Sequence, residues 1–341
     1  MELTLHHEFP AELAGEWNAL LNESIEHVPF LRFEYLEAWW KTRGGGEWPE
    51  EASLQIVTAK DVGRLVGVAP LFYTPSWQGK RALLLIGAVE VSDYLDLIVR
   101  PENLPAFLDA LLPFLADPSS GLPDWERLDL YNLLDSSPTL KAAPVSAEAA
   151  GWAFAAEQLQ HSPYIPLPGD WETYLAGIDK KQRHEIRRKM RRSEESDARV
   201  EWYIVSDPAA LEDEANAFMD LMAQDPDKAR FLTPPMREHM RLTMRCAFAE
   251  GCLQLAFLTV NGAKAAGYFS LDYLNRIWVY NSGIDQTYRE YSPGWVLLGN
   301  LLQWANENKR EAFDFMRGDE DYKYRFGGID RFVMRAMIDR R

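Results

Sequence analysis

Four short stretches decide the fold: Arg276-Ile277-Trp278-Val279-Tyr280-Asn281-Ser282-Gly283-Ile284, then Ser292-Pro293-Gly294-Trp295, then Ala312-Phe313-Asp314-Phe315-Met316, and last Gly318-Asp319-Glu320-Asp321-Tyr322-Lys323-Tyr324-Arg325-Phe326-Gly327. The first is rich in β-branched and aromatic residues and ends in a polar turn, so it reads as a strand. Pro293 suits the first turn of a helix, and Trp295, Leu298 and Leu302 repeat at helical spacing, so a helix is expected over Pro293–Asn308. Ala312–Met316 reads as a second strand.

Upstream, Leu253–Val260 and Ala265–Tyr273 flank Asn261-Gly262. Asn-Gly between apolar runs is a strong hairpin signal. A similar order occurs about 200 residues earlier. There Leu54–Lys60, the turn Asp61-Val62-Gly63 and Arg64–Tyr73 form a hairpin whose second arm carries Gly67, as the later one carries Gly267. Strand, helix and strand follow each hairpin, and Leu128-Asp129-Leu130 matches Phe313-Asp314-Phe315. An internal duplication follows. Between the halves, His161-Ser162-Pro163-Tyr164-Ile165-Pro166-Leu167-Pro168-Gly169 has the composition of a linker. Two domains are expected, 1–162 and 170–341, and a late strand over Phe332–Ile338 falls in the second.

The chain has 341 residues, of which 47% are hydrophobic, so each half has enough apolar surface for its own core. Its formal net charge is −16. That balance argues against a DNA-coating protein, because phosphate binding favours a basic surface. Residues 179–192 depart from it: they carry +6, leaving −22 on the rest. Ile186 and Met190 give this segment one thin apolar stripe, so Asp179 caps a helix with a broad cationic face. Two cysteines, Cys246 and Cys252, make no disulfide framework, and the histidines show no metal-binding spacing, so no metal is expected. The amino terminus has no signal-peptide pattern, and the longest apolar run, Ala82 to Val89, is far short of a membrane span. A soluble, cytoplasmic protein is expected.

The run from Arg276 to Gly327 resembles the GNAT acyltransferase superfamily, and more narrowly its CelD-like acetyltransferase branch, related to the Fem peptidoglycan-bridge transferases. The resemblance implies an α/β (α+β) fold of two tandem lobes, each a mixed, mostly antiparallel sheet flanked by helices. It also implies an N-acyltransferase, with acetyl-CoA as donor and a small-molecule or sugar-linked amine as acceptor. Fem-like aminoacyl transfer from charged tRNA and a non-catalytic binding scaffold are the alternatives. In the family the pyrophosphate loop reads R/Q-x-x-G-x-G/A; here Arg289-Glu290-Tyr291-Ser292-Pro293-Gly294 stands there, without the middle glycine.

Donor binding accordingly falls to Asn281 and Ser282 on the strand, and to Arg289, Ser292, Gly294 and Trp295 at the helix start, where free amides and the helix dipole favour an anion. Ser292 is expected to cap that helix. Tyr322 is the candidate acid for the leaving thiolate, with Tyr324 as its rival, since a phenol stays neutral at pH 7. Asp319 and Glu320 are placed to orient the amine. Lys181, Arg183, Arg187 and Arg188 are candidate contacts for a phosphate-bearing substrate. Asp314 is expected to be buried and to need a partner, with Arg317 and Lys323 nearest in sequence; all three are substrate-site candidates.

Overall fold

The computed structural model describes residues 1–340 and divides into two compact units. Unit 1 is Met1–Gln160 joined by the chain from Phe332 onward; unit 2 is His161–Arg331. The late strand expected in the second domain, Phe332–Asp339, therefore lies in unit 1. It pairs antiparallel with Arg127–Leu134, with Ile338 opposite Leu128. Nothing in its local pattern names its partner, which lies about 200 residues away in sequence.

Unit 2 is built on one six-stranded sheet in the order Tyr164–Pro166, Ala312–Asp314, Arg276–Ile284, Ala263–Tyr273, Leu253–Val260, Val200–Ile204. The Asn261-Gly262 turn has positive φ at both residues (50° and 84°), as a tight two-residue hairpin requires. Arg276–Ile284 runs antiparallel to Ala263–Tyr273 along its whole length. With Ala312–Asp314 it runs parallel for three residues only, Arg276 to Trp278 opposite Ala312 to Asp314.

One sheet face receives the helix Pro293–Glu307, whose Val296, Leu297, Leu298, Leu301 and Leu302 are buried with Ala256, Leu258, Tyr268, Ile277 and Val279. Each such side chain contributes about 1.5–3 kcal/mol on burial. The other face receives Leu211–Met222, where Phe218 packs edge-on against Phe269. A short helix that the apolar pattern does not announce, Pro226–Phe231, follows it. Asp225 caps it through the amides of Asp227 and Lys228.

Unit 1 holds a four-stranded and a six-stranded sheet rather than the single sheet expected of each lobe. The expected strand Arg64–Tyr73 is divided between them as Arg64–Ala69 and Leu71–Trp77.

Candidate active site

The cleft begins where Arg276–Ile284 and Ala312–Asp314 part. Beyond Trp278 the first strand continues without its parallel neighbour, past a register shift at Phe269/Ser270 that leaves Tyr280 out of the ladder. Ser282 lies opposite Tyr268, and both of its backbone groups are met by side chains instead of a strand. Its N–H donates to Asn281 Oδ1 (2.9 Å), and its carbonyl accepts from Lys228 Nζ (2.5 Å). Side chains thus hold an open strand edge, of the kind an extended amide-bearing ligand pairs with.

Opposite this edge lies the loop Met316–Glu320 and the short helix Asp321–Arg325. Tyr322 is half-buried, with its ring edge-on to Phe315. Burial raises its phenol well above the ordinary tyrosine value, and Tyr268 and Glu320 add to the rise. Its hydroxyl has no hydrogen-bond partner among the described residues. Tyr324, the rival, donates to Asp330 Oδ1 (3.1 Å). Burial first, and then that bond, push its phenol up to about 12. Tyr268, unmarked by the sequence pattern, is buried on the central strand, and its phenol is likewise raised, by burial and then by Glu320.

Glu320 is exposed but anchored, its Oε2 lying 2.9 Å from Lys323 Nζ. Asp319 is exposed beside it. Lys323 itself is buried, and its ammonium also donates to the carbonyls of Arg317 (2.7 Å), Gly318 (3.2 Å) and Met316 (3.4 Å). It holds the loop closed, so the structure gives it a packing role in place of substrate contact. Arg317 is half-buried and supplies one of those carbonyls.

Asp314 requires the same correction. It is buried, it accepts from the Met316 amide (2.9 Å), and its other oxygen pairs with Arg331. Arg331 is 17 residues further on, beyond the reach of local reading.

At the helix start, Ser292 adopts the left-handed backbone (φ 50°, ψ 49°) and its side chain makes no cap. It occupies the position of the missing middle glycine, and it keeps the conformation that glycine adopts freely. Gly294 is buried, and a Cβ there would lie 2.4 Å from Ile284 Cδ1. The helix start packs that closely on the strand end. The first-turn amides have no intrahelical acceptor. Arg289 is exposed on the turn Gln286–Tyr291 that leads in. Trp295 is half-buried between Lys189, 4.1 Å from its ring, and Phe326.

The cationic helix spans Lys180–Glu194, capped by Asp179 through the amides of Lys181 and Gln182. Ile186 is fully buried, and Met190 packs over Gly299. Arg183 is half-buried and spends its guanidinium on the carbonyls of Leu175 and Ala176 (3.4 and 3.2 Å), so it closes the preceding helix rather than facing a ligand. Arg187 pairs with Glu172, and Arg188 makes two 2.8 Å bonds to Glu185. Both pairs are exposed, contribute little, and exchange readily for a stronger anion. Lys180 and Lys181 are exposed. With His184, Arg188, Asp321 and Arg325 they line a groove of about 980 Å³.

Among the described residues, no group of three or more His, Cys, Asp or Glu is placed to hold a metal, and no helix is long and apolar enough to cross a membrane.

Strand, open edge, helix start and tyrosine loop come together in the arrangement that the resemblance to GNAT acyltransferases implies. Residues 180–324, which hold the open strand edge, the helix start and Tyr322, match the acetyltransferase (GNAT) domain family, so this part of the chain is a GNAT-type N-acyltransferase domain. No curated protein matches the sequence. Among solved structures it is similar to FemX, at 12% identity and a TM-score of 0.68, covering 98% of this chain and 97% of that one. It is also similar to L-PGS from Bacillus licheniformis (12% identity, TM-score 0.56, 98% and 93% covered). A tandem GNAT protein from the clavulanic acid biosynthesis pathway gives 13% identity and a TM-score of 0.51, with 98% and 97% covered. At these identities the likeness is one of fold, and it extends over both units.

Proposed function

We propose that unit 2 takes acetyl-CoA along the open edge of Arg276–Ile284 and passes the acetyl group to the amine of a small or sugar-linked acceptor by direct attack. The observation that carries this reading is the parting of the two strands after Trp278, with both backbone groups of Ser282 left to side-chain partners. Those partners are replaceable by the amides of an extended donor arm. The donor's thioester supplies the activated acyl group. The Gly294 and Trp295 amides and the exposed Arg289 would hold its phosphates. The match to the GNAT domain, and the fold shared with a tandem GNAT protein whose structure is described "without AcCoA", support this donor.

Glu320, fixed by Lys323, orients the acceptor amine, with Asp319 beside it. Tyr322 is the acid: its hydroxyl is unbonded, whereas that of Tyr324 is engaged by Asp330. A raised phenol stays neutral, and gives its hydrogen to the leaving sulfur only as charge builds there. Arg187 and Arg188 would meet a phosphate on the acceptor.

The exposed cationic groove favours a second reading, Fem-like aminoacyl transfer from charged tRNA. Thermal unfolding separates the two. Acetyl-CoA at a hundredfold excess over its Kd should raise the melting temperature by roughly 5–10 °C. A salt-sensitive shift with tRNA and none with acetyl-CoA selects the second reading. No shift with either leaves a binding protein on a GNAT scaffold.

A further inference from the structure

Lys228 has no role in the reading above except as a placeholder on Ser282. It stands on the short helix Pro226–Phe231, half-buried, and among the described residues its ammonium makes one hydrogen bond, to the Ser282 carbonyl, and no ion pair. Three N–H groups and a full charge are thus matched by a single neutral acceptor. The two carboxylates near enough to act on it are already committed. Asp225 caps the helix through the amides of Asp227 and Lys228, and Glu320 is held by Lys323. Desolvation lowers the Lys228 ammonium, and those carboxylates oppose the fall. A half-buried cation in this state favours an added anion.

A cavity of about 250 Å³ lies at this ammonium. Leu221, Met222 and Ile284 form its apolar side; Gln224, Asp225 and Gln286 carry polar groups around it. Lys228 is the single cation lining it. The volume lies below that of drug-sized pockets and suits a small ligand.

We propose that this cavity is the acceptor subsite, and that Lys228 binds a carboxylate borne by the acceptor amine. The proposal rests on reading the adjoining cleft as the acyl-transfer site, because it supplies the direction in which the amine points. Ser282, which lines the cavity, lies opposite Tyr268 on the neighbouring strand, so a carboxylate at Lys228 leaves the remainder of a short amino acid beside the open strand edge of the proposed acyl-transfer cleft. One ammonium, with no guanidinium fork beside it, balances a monoanion; a phosphate dianion there keeps an unpaired charge.

The test is binding without donor, so that it stands apart from turnover. Saturation-transfer difference NMR is recorded for glycine, β-alanine and 6-aminohexanoate, for their amides, and for 2-aminoethyl phosphate. The expected result is that at least one carboxylate binds at least tenfold tighter than its amide and than the phosphate. Lys228→Met should abolish that preference and Lys228→Arg should keep it, with melting curves confirming that both variants fold. Equal binding of acid and amide, stronger binding of the phosphate, no binding by any carboxylate, or a preference that survives Lys228→Met overturns the proposal. If the carboxylate preference holds while acetyl-CoA neither binds nor reacts, the donor reading fails and the subsite stands.

Discussion

The two units use one plan and finish it differently. In each, two parallel strands pair for three residues and end at a buried aspartate: Arg276–Trp278 with Ala312–Asp314 in unit 2, Ala82–Leu84 with Arg127–Asp129 in unit 1. Each aspartate holds an arginine, Arg331 and Arg335 respectively. Gly267 and Gly67 each let an aromatic ring from a helix lie on the strand, those of Phe218 and Phe107. Beyond the parallel pair they diverge. In unit 2 a single strand runs on to Ile284, with Gly283 opposite Gly267. In unit 1 the equivalent strand is cut into Lys80–Leu85 and Ile98–Val99, and Val99 is the residue opposite Gly67.

The inserted residues 86–97 are mostly buried and are tied to the strand beyond Asp129. Asn132 donates to the carbonyls of Val89 (2.8 Å) and Ser92 (2.7 Å), while Asp96 takes the hydroxyls of Ser137 and Thr139. Where unit 2 has Tyr322, eight residues past its aspartate, unit 1 has Ser137, spent on Asp96. The place that is open in unit 2 is filled in unit 1 by its own chain. The difference teaches that the shared plan makes a cleft and that local insertion decides whether it stays open.

The largest test concerns the shared part. Asp129→Ala takes from Arg335, whose side chain is 6% exposed, its buried carboxylate and leaves it Glu157 and Gln78, and should cost about 3 kcal/mol in denaturant unfolding. Asp314→Ala should cost less, because Arg331 is 14% exposed. Equal costs would show that the two aspartates are not held alike.

Next comes the filler. Burial raises the Asp96 carboxyl to about 6, opposed by its bonds to Ser137, Thr139 and Leu97. An acid whose folded pKa is raised binds its proton more tightly when folded, so its ionisation removes stability as pH rises from about 4 through about 6. The expected loss is on the order of 2–3 kcal/mol. Asp96→Asn should remove that part of the slope, measured as unfolding midpoint against pH. An unchanged slope contradicts a buried, ionising Asp96.

Third, Tyr322→Phe should lower turnover at least tenfold, about 1.4 kcal/mol of barrier, with no change in the melting curve. Undiminished turnover excludes it as the acid. The smallest effect is expected at Ser292, where glycine relieves the left-handed backbone. Ser292→Gly should raise stability by about 1 kcal/mol and retain donor binding. A fall in stability means that the hydroxyl contributes more than the backbone costs.

What was legible in the sequence follows the range of the forces involved. The Asn261-Gly262 turn, the Asp179 cap and the Pro293 helix start are set by neighbours within a few residues, and they read directly. The paired order of the halves was legible too, and with it the equivalence of Asp129 and Asp314. The partner of Asp314 was not, nor the sheet joined by Phe332–Asp339, because each depends on residues brought close only by folding. Lys228 was missed for a different reason. Asp225-Pro226 is a helix-start signal, but the helix behind it is short and charged, with no apolar period to register. Ser292 was expected as a cap; the structure uses its backbone instead.

Hydrogen exchange with and without acetyl-CoA bears most directly on the claim that unit 2 alone presents an open donor edge. Amides within Val279–Ile284, and those of Gly294 and Trp295, should become protected, while Lys80–Leu85 and Ile98–Val99 stay unchanged. Protection in the unit 1 strands, or none in Val279–Ile284 at saturating acetyl-CoA, would contradict it.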